Sequence, residues 1–136
     1  MDHPVLSIDY GDARIGVAAT DEFGIAAHPV ETVNMKKGDP LARLSELILS
    51  RRVKQIVLGL PLRTDGSEGT SAEKVRTFGR KLQARVPDIP LAYFDERYTT
   101  VTAADKLRLA GKKAKQQREI IDQAAALEIL NDYLGW

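Results

Sequence analysis

Val5-Leu6-Ser7-Ile8-Asp9-Tyr10-Gly11-Asp12-Ala13-Arg14-Ile15-Gly16-Val17-Ala18 is an apolar run that ends in an acid, a short polar turn, and a second apolar run. A short apolar run bounded by turn residues reads as a buried strand, here residues 5–9. The next strand, residues 14–20, follows too closely for a parallel crossover, so the two must run antiparallel. A third strand is expected over residues 25–32, joined by Asp21-Glu22-Phe23-Gly24, a turn with the Asp and Gly that tight turns favour. Three strands on short joins make an antiparallel meander.

Beyond the meander the periodicity changes. Leu41, Leu44, Leu47 and Ile48 recur at helical spacing over residues 40–52. Residues 55–60 are a compact apolar strand. Residues 70–85 read as a helix opened by Thr70-Ser71-Ala72-Glu73, which matches a capping box. A strand over 90–94, a helix over 100–110 stopped by Gly111, and a helix over 118–134 complete the chain. Three hairpin-connected strands followed by alternating helix and strand predict an α/β fold. Its five-stranded mixed sheet has three antiparallel strands, then parallel βαβ units with right-handed crossovers, and helices on its faces.

The chain has 136 residues, enough for a single domain over 1–136 with a real core. It has no cysteine, so disulfide and thiolate chemistry are excluded. Its longest apolar stretch falls far short of the roughly 20 residues of a membrane span, and Met1-Asp2-His3-Pro4 lacks the character of a signal peptide. A cytoplasmic protein with no membrane partner is expected. The net charge is only +1, but it is unevenly spread. Arg97, Lys106, Arg108, Lys112, Lys113, Lys115 and Arg118 stand against Asp105 alone, a basic stripe suited to a polyanion.

Three acids stand where a core would prefer apolar residues. Asp9 ends the first strand in a position central to the sheet. Glu96, in Asp95-Glu96-Arg97, follows the apolar run Leu91-Ala92-Tyr93-Phe94, and successive residues of a strand face opposite sides, so only one of Asp95 and Glu96 shares a pocket with Asp9. On a helical wheel of the last helix, Gln123, Glu128, Asn131 and Asp132 fall on one side. Asp122 falls opposite, with Ala125, Ala126, Ile129 and Tyr133, and is expected to point inward. Buried acids are expensive unless paired or bound to a cation. Carboxylates without cysteine or a histidine cluster favour Mg2+ or Mn2+ over zinc. Two such ions about 4 Å apart can activate water and stabilise the leaving oxygen in phosphodiester hydrolysis. His3 and His28 are read as incidental. The glycine-rich loop over 59–69 is not a Walker A loop, and leads to a helix whose first amides are placed to receive a phosphate.

Asp9-Tyr10-Gly11 with Arg14-Ile15-Gly16-Val17-Ala18, Gly59-Leu60-Pro61 with Asp65-Gly66-Ser67-Glu68-Gly69, Asp95-Glu96-Arg97-Tyr98-Thr99-Thr100, and Asp122-Gln123-Ala124-Ala125-Ala126 occur in this order. Together they resemble the bacterial YqgF/RuvX family, described as Holliday junction resolvases and as pre-16S rRNA nucleases. The resemblance spans essentially the whole chain. It implies a ribonuclease H-like fold, with Asp9, Glu96 and Asp122 as the metal-binding catalytic acids. Tyr98 stands where the family usually has Leu, and Arg63-Thr64 where Asn-Met is typical; neither touches the acids.

The expectation is a metal-dependent endonuclease that matures the 5′ end of pre-16S rRNA, as monomer or homodimer. Arg14, Arg97, Lys112, Lys113, Lys115 and Arg118 would contact nucleic-acid phosphates. The alternative within the class is a Holliday junction resolvase acting on branched DNA, which needs a symmetric dimer. An actin-like ATP-binding phosphotransferase would need two such domains, and a catalytically inactive nucleic-acid-binding module would keep the stripe without turnover.

Overall fold

The structure is a computed structural model that describes residues 2–96 and 114–136. The helix expected over 100–110 lies outside the described residues. Among the described residues eight elements follow one another: β1 (Val5–Tyr10), β2 (Arg14–Thr20), β3 (Ala27–Asn34), α1 (Pro40–Ser50), β4 (Gln55–Leu60), α2 (Thr70–Arg85), β5 (Leu91–Asp95) and α3 (Ala114–Leu134). The sheet order is β3-β2-β1-β4-β5. β1–β2 and β2–β3 are antiparallel, and β1–β4 and β4–β5 are parallel, as the loop lengths predicted. β1 is therefore central, with Asp9 opposite Gly16.

Several boundaries differ from the sequence reading for local reasons. β3 begins at Ala27, because the Asp21 carboxylate accepts from the backbone N–H groups of Phe23, Ile25 and Ala26 and holds them in the turn. α1 starts on Asp39, whose side chain accepts from the amides of Leu41 and Ala42, with Pro40 in the first turn. It stops two residues early, since Arg52 has φ +55°, outside the helical range. The capping box does not form: Gly69 is the cap of α2, with no side-chain cap bond, and Thr70 is already helical. β5 is shifted by one residue and now includes Asp95. α3 begins four residues earlier than expected, at Ala114.

Both faces of the sheet are covered. Leu6, Ile8, Ile15, Val17, Ile56 and Leu58 point to α1 and α2, where Leu44, Ile48, Val75, Phe78 and Leu82 meet them. Val5, Ala18 and Val57 point the other way, to Ala126, Ile129 and Leu130 of α3. Double burial explains why Val5-Leu6-Ser7-Ile8 is an unbroken buried run rather than an alternation. Small residues let α3 approach closely. A Cβ at Gly16 would collide with the carbonyl oxygen of Asp122, and the buried Ser7 hydroxyl donates to the carbonyl of Ala126 at 2.6 Å.

α3 is less one-sided than the wheel predicted. The Gln123 amide reaches across to donate to Thr32 Oγ1 at 3.1 Å, and one carboxylate oxygen of Asp132 is buried. The helix lies against β1, β2, β3 and β4, so much of its circumference is half-buried. No helix among the described residues is long and apolar enough to cross a membrane.

Candidate active site

The three acids lie on the α3 face of the sheet, at the end where β1, β4 and β5 finish, the usual place for sites in open α/β sheets. Asp9 shares the parity of Val5 and Ser7, which face α3. Glu96 follows β5 and shares the parity of Phe94, which packs against Tyr133 of α3 with ring centroids 6.1 Å apart. β4 runs between β1 and β5, so a side chain on it would separate the two acids. The residue there is Gly59, and a Cβ on it would collide with Glu96 Oε1. The missing side chain opens the space through which Glu96 reaches Asp9.

Asp9 and Glu96 are hydrogen-bonded to each other. Such a bond needs a proton on one of the two carboxyls. The Asp9 carboxyl is pushed up to about 8, first by burial, then by the charge and hydrogen bond of Glu96, and last by the charge of Asp122. Glu96 is also raised, by burial and by the charge of Asp95, while the bond to Asp9 works in the opposite direction. The two carboxyls therefore share a proton, both held toward the neutral form by burial.

Asp122 is fixed by its backbone against Gly16, the register partner of Asp9. Its carboxylate accepts from Arg14 Nε at 2.6 Å, a half-buried ion pair with side chains 33% and 18% exposed. Arg14 thus stands within the acid group. Among the described residues no three acids or histidines are grouped so as to hold a metal ion as they stand. The arrangement is a protonated carboxyl pair with a third, arginine-bound carboxylate beside it.

Of the other residues singled out in the sequence, Arg97, Lys112 and Lys113 lie outside the described residues. Lys115 and Arg118 belong to the first turns of α3, with side chains outside the description. His3 bonds Thr20 Oγ1 at 2.9 Å, and His28 contacts Arg51 at 3.3 Å, both away from the acids. The loop over 59–69 is an ordered turn: Arg63 N–H donates to the Ser67 carbonyl at 2.9 Å, Asp65 accepts from the Ser67 amide and hydroxyl, and Gly66 takes φ +88°. Gly59 and Ser7 carry the site geometry without having been singled out for it. An isolated glycine inside an apolar strand was the available signal for Gly59.

A cleft of about 210 Å³ opens beside Glu96, bounded by Tyr10, Gly11, Asp12, Pro61, Ser71 and Lys74. Lys74 Nζ lies 3.4 Å from Asp12.

The model of the RuvX family, described as Holliday junction resolvase, matches residues 3–135. A protein of Cutibacterium acnes, provisionally named a pre-16S rRNA nuclease, is 46% identical over 129 residues, covering 95% of this chain and 80% of its own length. A protein of Streptomyces avermitilis with the same provisional name is 47% identical over 131 residues, covering 95% and 83%. Among solved structures, Thermus thermophilus RuvC in complex with a Holliday junction substrate superposes with a TM-score of 0.57 at 18% identity, covering 98% of this chain and 97% of that one. This last likeness establishes the ribonuclease H-like, RuvC-type fold.

Proposed function

We propose that this chain, which belongs to the RuvX family, is a metal-dependent endonuclease of structured nucleic acid that matures the 5′ end of pre-16S rRNA in the cytoplasm. The observation that carries the reading is the Asp9–Glu96 pair meeting across Gly59 at the end of the central strands. A proton buried between two carboxyls marks a position where positive charge is stabilised, and a divalent cation can take its place. The donor set is all oxygen, which suits Mg2+ or Mn2+. Asp9 and Glu96 would hold the ion, and Asp122 would complete the set.

Such a cation supplies an activated water and stabilises the leaving oxygen of a phosphodiester. The residues themselves position it. The central strand fixes Asp9, Gly59 admits Glu96, and Gly16 seats the α3 backbone that carries Asp122. Arg14 neutralises Asp122 and offers a planar set of donors to a phosphate. Lys112, Lys113, Lys115, Arg118 and Arg97 would hold backbone phosphates without regard to sequence, so binding should weaken steeply with salt.

The second reading is a resolvase of branched DNA, favoured by the description of the matching family and requiring a two-fold dimer for paired cuts. Incubation with pre-16S rRNA and with a four-way DNA junction, each in Mg2+, Mn2+ or EDTA, separates the two. Cleavage of the RNA alone supports rRNA maturation. Cleavage of the junction alone, by a dimer, supports the second reading. Cleavage that persists in EDTA overturns the metal-dependent mechanism for both.

A further inference from the structure

On the opposite face of the sheet from the acids, a groove of about 470 Å³ runs between the start of α1 and one side of α2. Its lining includes the rings of Tyr10 and Phe78, with centroids 4.7 Å apart and planes tilted by 37°. Met35 and Leu41, both half-buried, add further apolar lining. Lys74 and Lys81 also line it, on the same side of α2 as Thr77, together with the carboxylates of Asp39 and Glu73.

Two observations say what the groove accepts. First, it is continuous with the site: Tyr10 and Lys74 line both this groove and the cleft that contains Glu96, and Tyr10 is the residue after Asp9. The Tyr10 edge therefore joins the cleft beside Glu96 to the groove, and a strand held at the acids would have that edge within reach of its neighbouring nucleotide. Second, the chemistry is mixed in the way a nucleotide is. An aromatic and aliphatic slot takes a flat ring, while the ammonium groups and carboxylates at its edge suit the carbonyl oxygens and amino groups of a base. Lys81 makes no ion pair among the described residues, and Lys74 has only the long, exposed contact with Asp12. Pockets of this size ordinarily enclose a small organic molecule. A base within a duplex is stacked and cannot enter, whereas an unpaired base can be splayed onto an aromatic side chain.

We propose that this groove is a subsite for one unpaired nucleobase of the substrate strand, next to the bond that is cut. The subsite rests on the nuclease reading and adds its basis of selection: a strand with an unpaired nucleotide beside the cleavage point is chosen over continuous duplex, with little preference among bases. Stacking on an aromatic ring is sequence-tolerant and strengthens binding roughly 5- to 150-fold per base.

The test uses the full chain in EDTA, with a branched oligonucleotide bearing an unpaired arm. Each base of that arm is replaced in turn by an abasic site or by 2-aminopurine. At one position the abasic substitution should weaken wild-type binding roughly 5-fold or more, the lower end of that stacking range, and 2-aminopurine emission there should fall on binding. Tyr10→Leu keeps the apolar bulk and removes the π face; Thr77→Phe fills the groove from an exposed helical position. Both should bind the abasic oligonucleotide as wild type does and lose the discrimination, with unchanged circular dichroism. Equal wild-type affinity for every abasic version overturns the subsite alone, as does discrimination that survives in both variants. Failure to bind any of these oligonucleotides overturns it together with the nuclease reading.

Discussion

A carboxyl buried at the end of β1 is stable only in its protonated form or beside a cation, and this sets a sign for pH. Between the ordinary carboxyl range and about 8, the folded Asp9–Glu96 pair keeps a proton that the unfolded chain has released. Metal-free stability must therefore fall as pH rises through that window. Thermal melts in EDTA from pH 5 to 8.5 should show this decline. Asp9→Asn should flatten it and raise stability near pH 8, since each tenfold change in proton affinity between the folded and unfolded chain is worth about 1.4 kcal/mol. A wild-type profile flat across this range would show that Asp9 is not protonated in the fold.

Gly59 gives a second prediction at this scale. A Cβ there would collide with Glu96 Oε1 and with the Ile129 side chain, so Gly59→Ala should displace Glu96 from Asp9. The expected outcome is a loss of about 1–3 kcal/mol in stability from overpacking, with a loss of cleavage larger than that destabilisation explains. Urea denaturation beside single-turnover cleavage separates the two. Arg14→Gln strips the counter-charge from Asp122 in a half-buried pair and should lower stability by roughly 1 kcal/mol in a double-mutant comparison with Asp122→Asn.

Among the elements, the seating of α3 on β2 decides whether Asp122 arrives at all. Gly16 presses against the Asp122 carbonyl, and Ser7 bonds the Ala126 carbonyl one turn further on. Gly16→Ala must push the helix off the sheet, and chemical denaturation should show it several times more damaging than Ser7→Ala, which removes one buried bond worth about 1 kcal/mol. The strands and helices themselves were legible because apolar periodicity and loop length act locally: the short join between β1 and β2 forces a hairpin. What was not legible depends on side chains meeting across the chain. Asp21 gathers three amides and delays β3, and Arg14 finds Asp122 across 108 residues. The apparent capping box at Thr70 failed because Gly69 already occupies the cap, a displacement of one residue that composition cannot decide.

Across the whole molecule, one sheet sandwiched by helices brings an acid from its centre, an acid from its parallel edge and an acid from the last helix to one end. Sequence order suggested a shared pocket for Asp9 and Glu96. Only the spatial order β1-β4-β5 shows that a glycine must stand between them. The sandwich also makes the site dependent on a core remote from it. Leu58→Ala, under α2, should cost about 2–5 kcal/mol and lower the melting temperature without altering metal affinity in the folded fraction.

In the proposed mechanism Asp9, paired with Glu96, would hold the metal needed to cut the phosphodiester bond. Single-turnover cleavage of pre-16S rRNA in Mg2+ by wild type and Asp9→Asn, both shown to be folded and RNA-bound, tests it most directly. The rate should be at least about 10³-fold lower for Asp9→Asn, the equivalent of the several kcal/mol of charge stabilisation a bound metal provides. Cleavage by Asp9→Asn at the wild-type rate would contradict it.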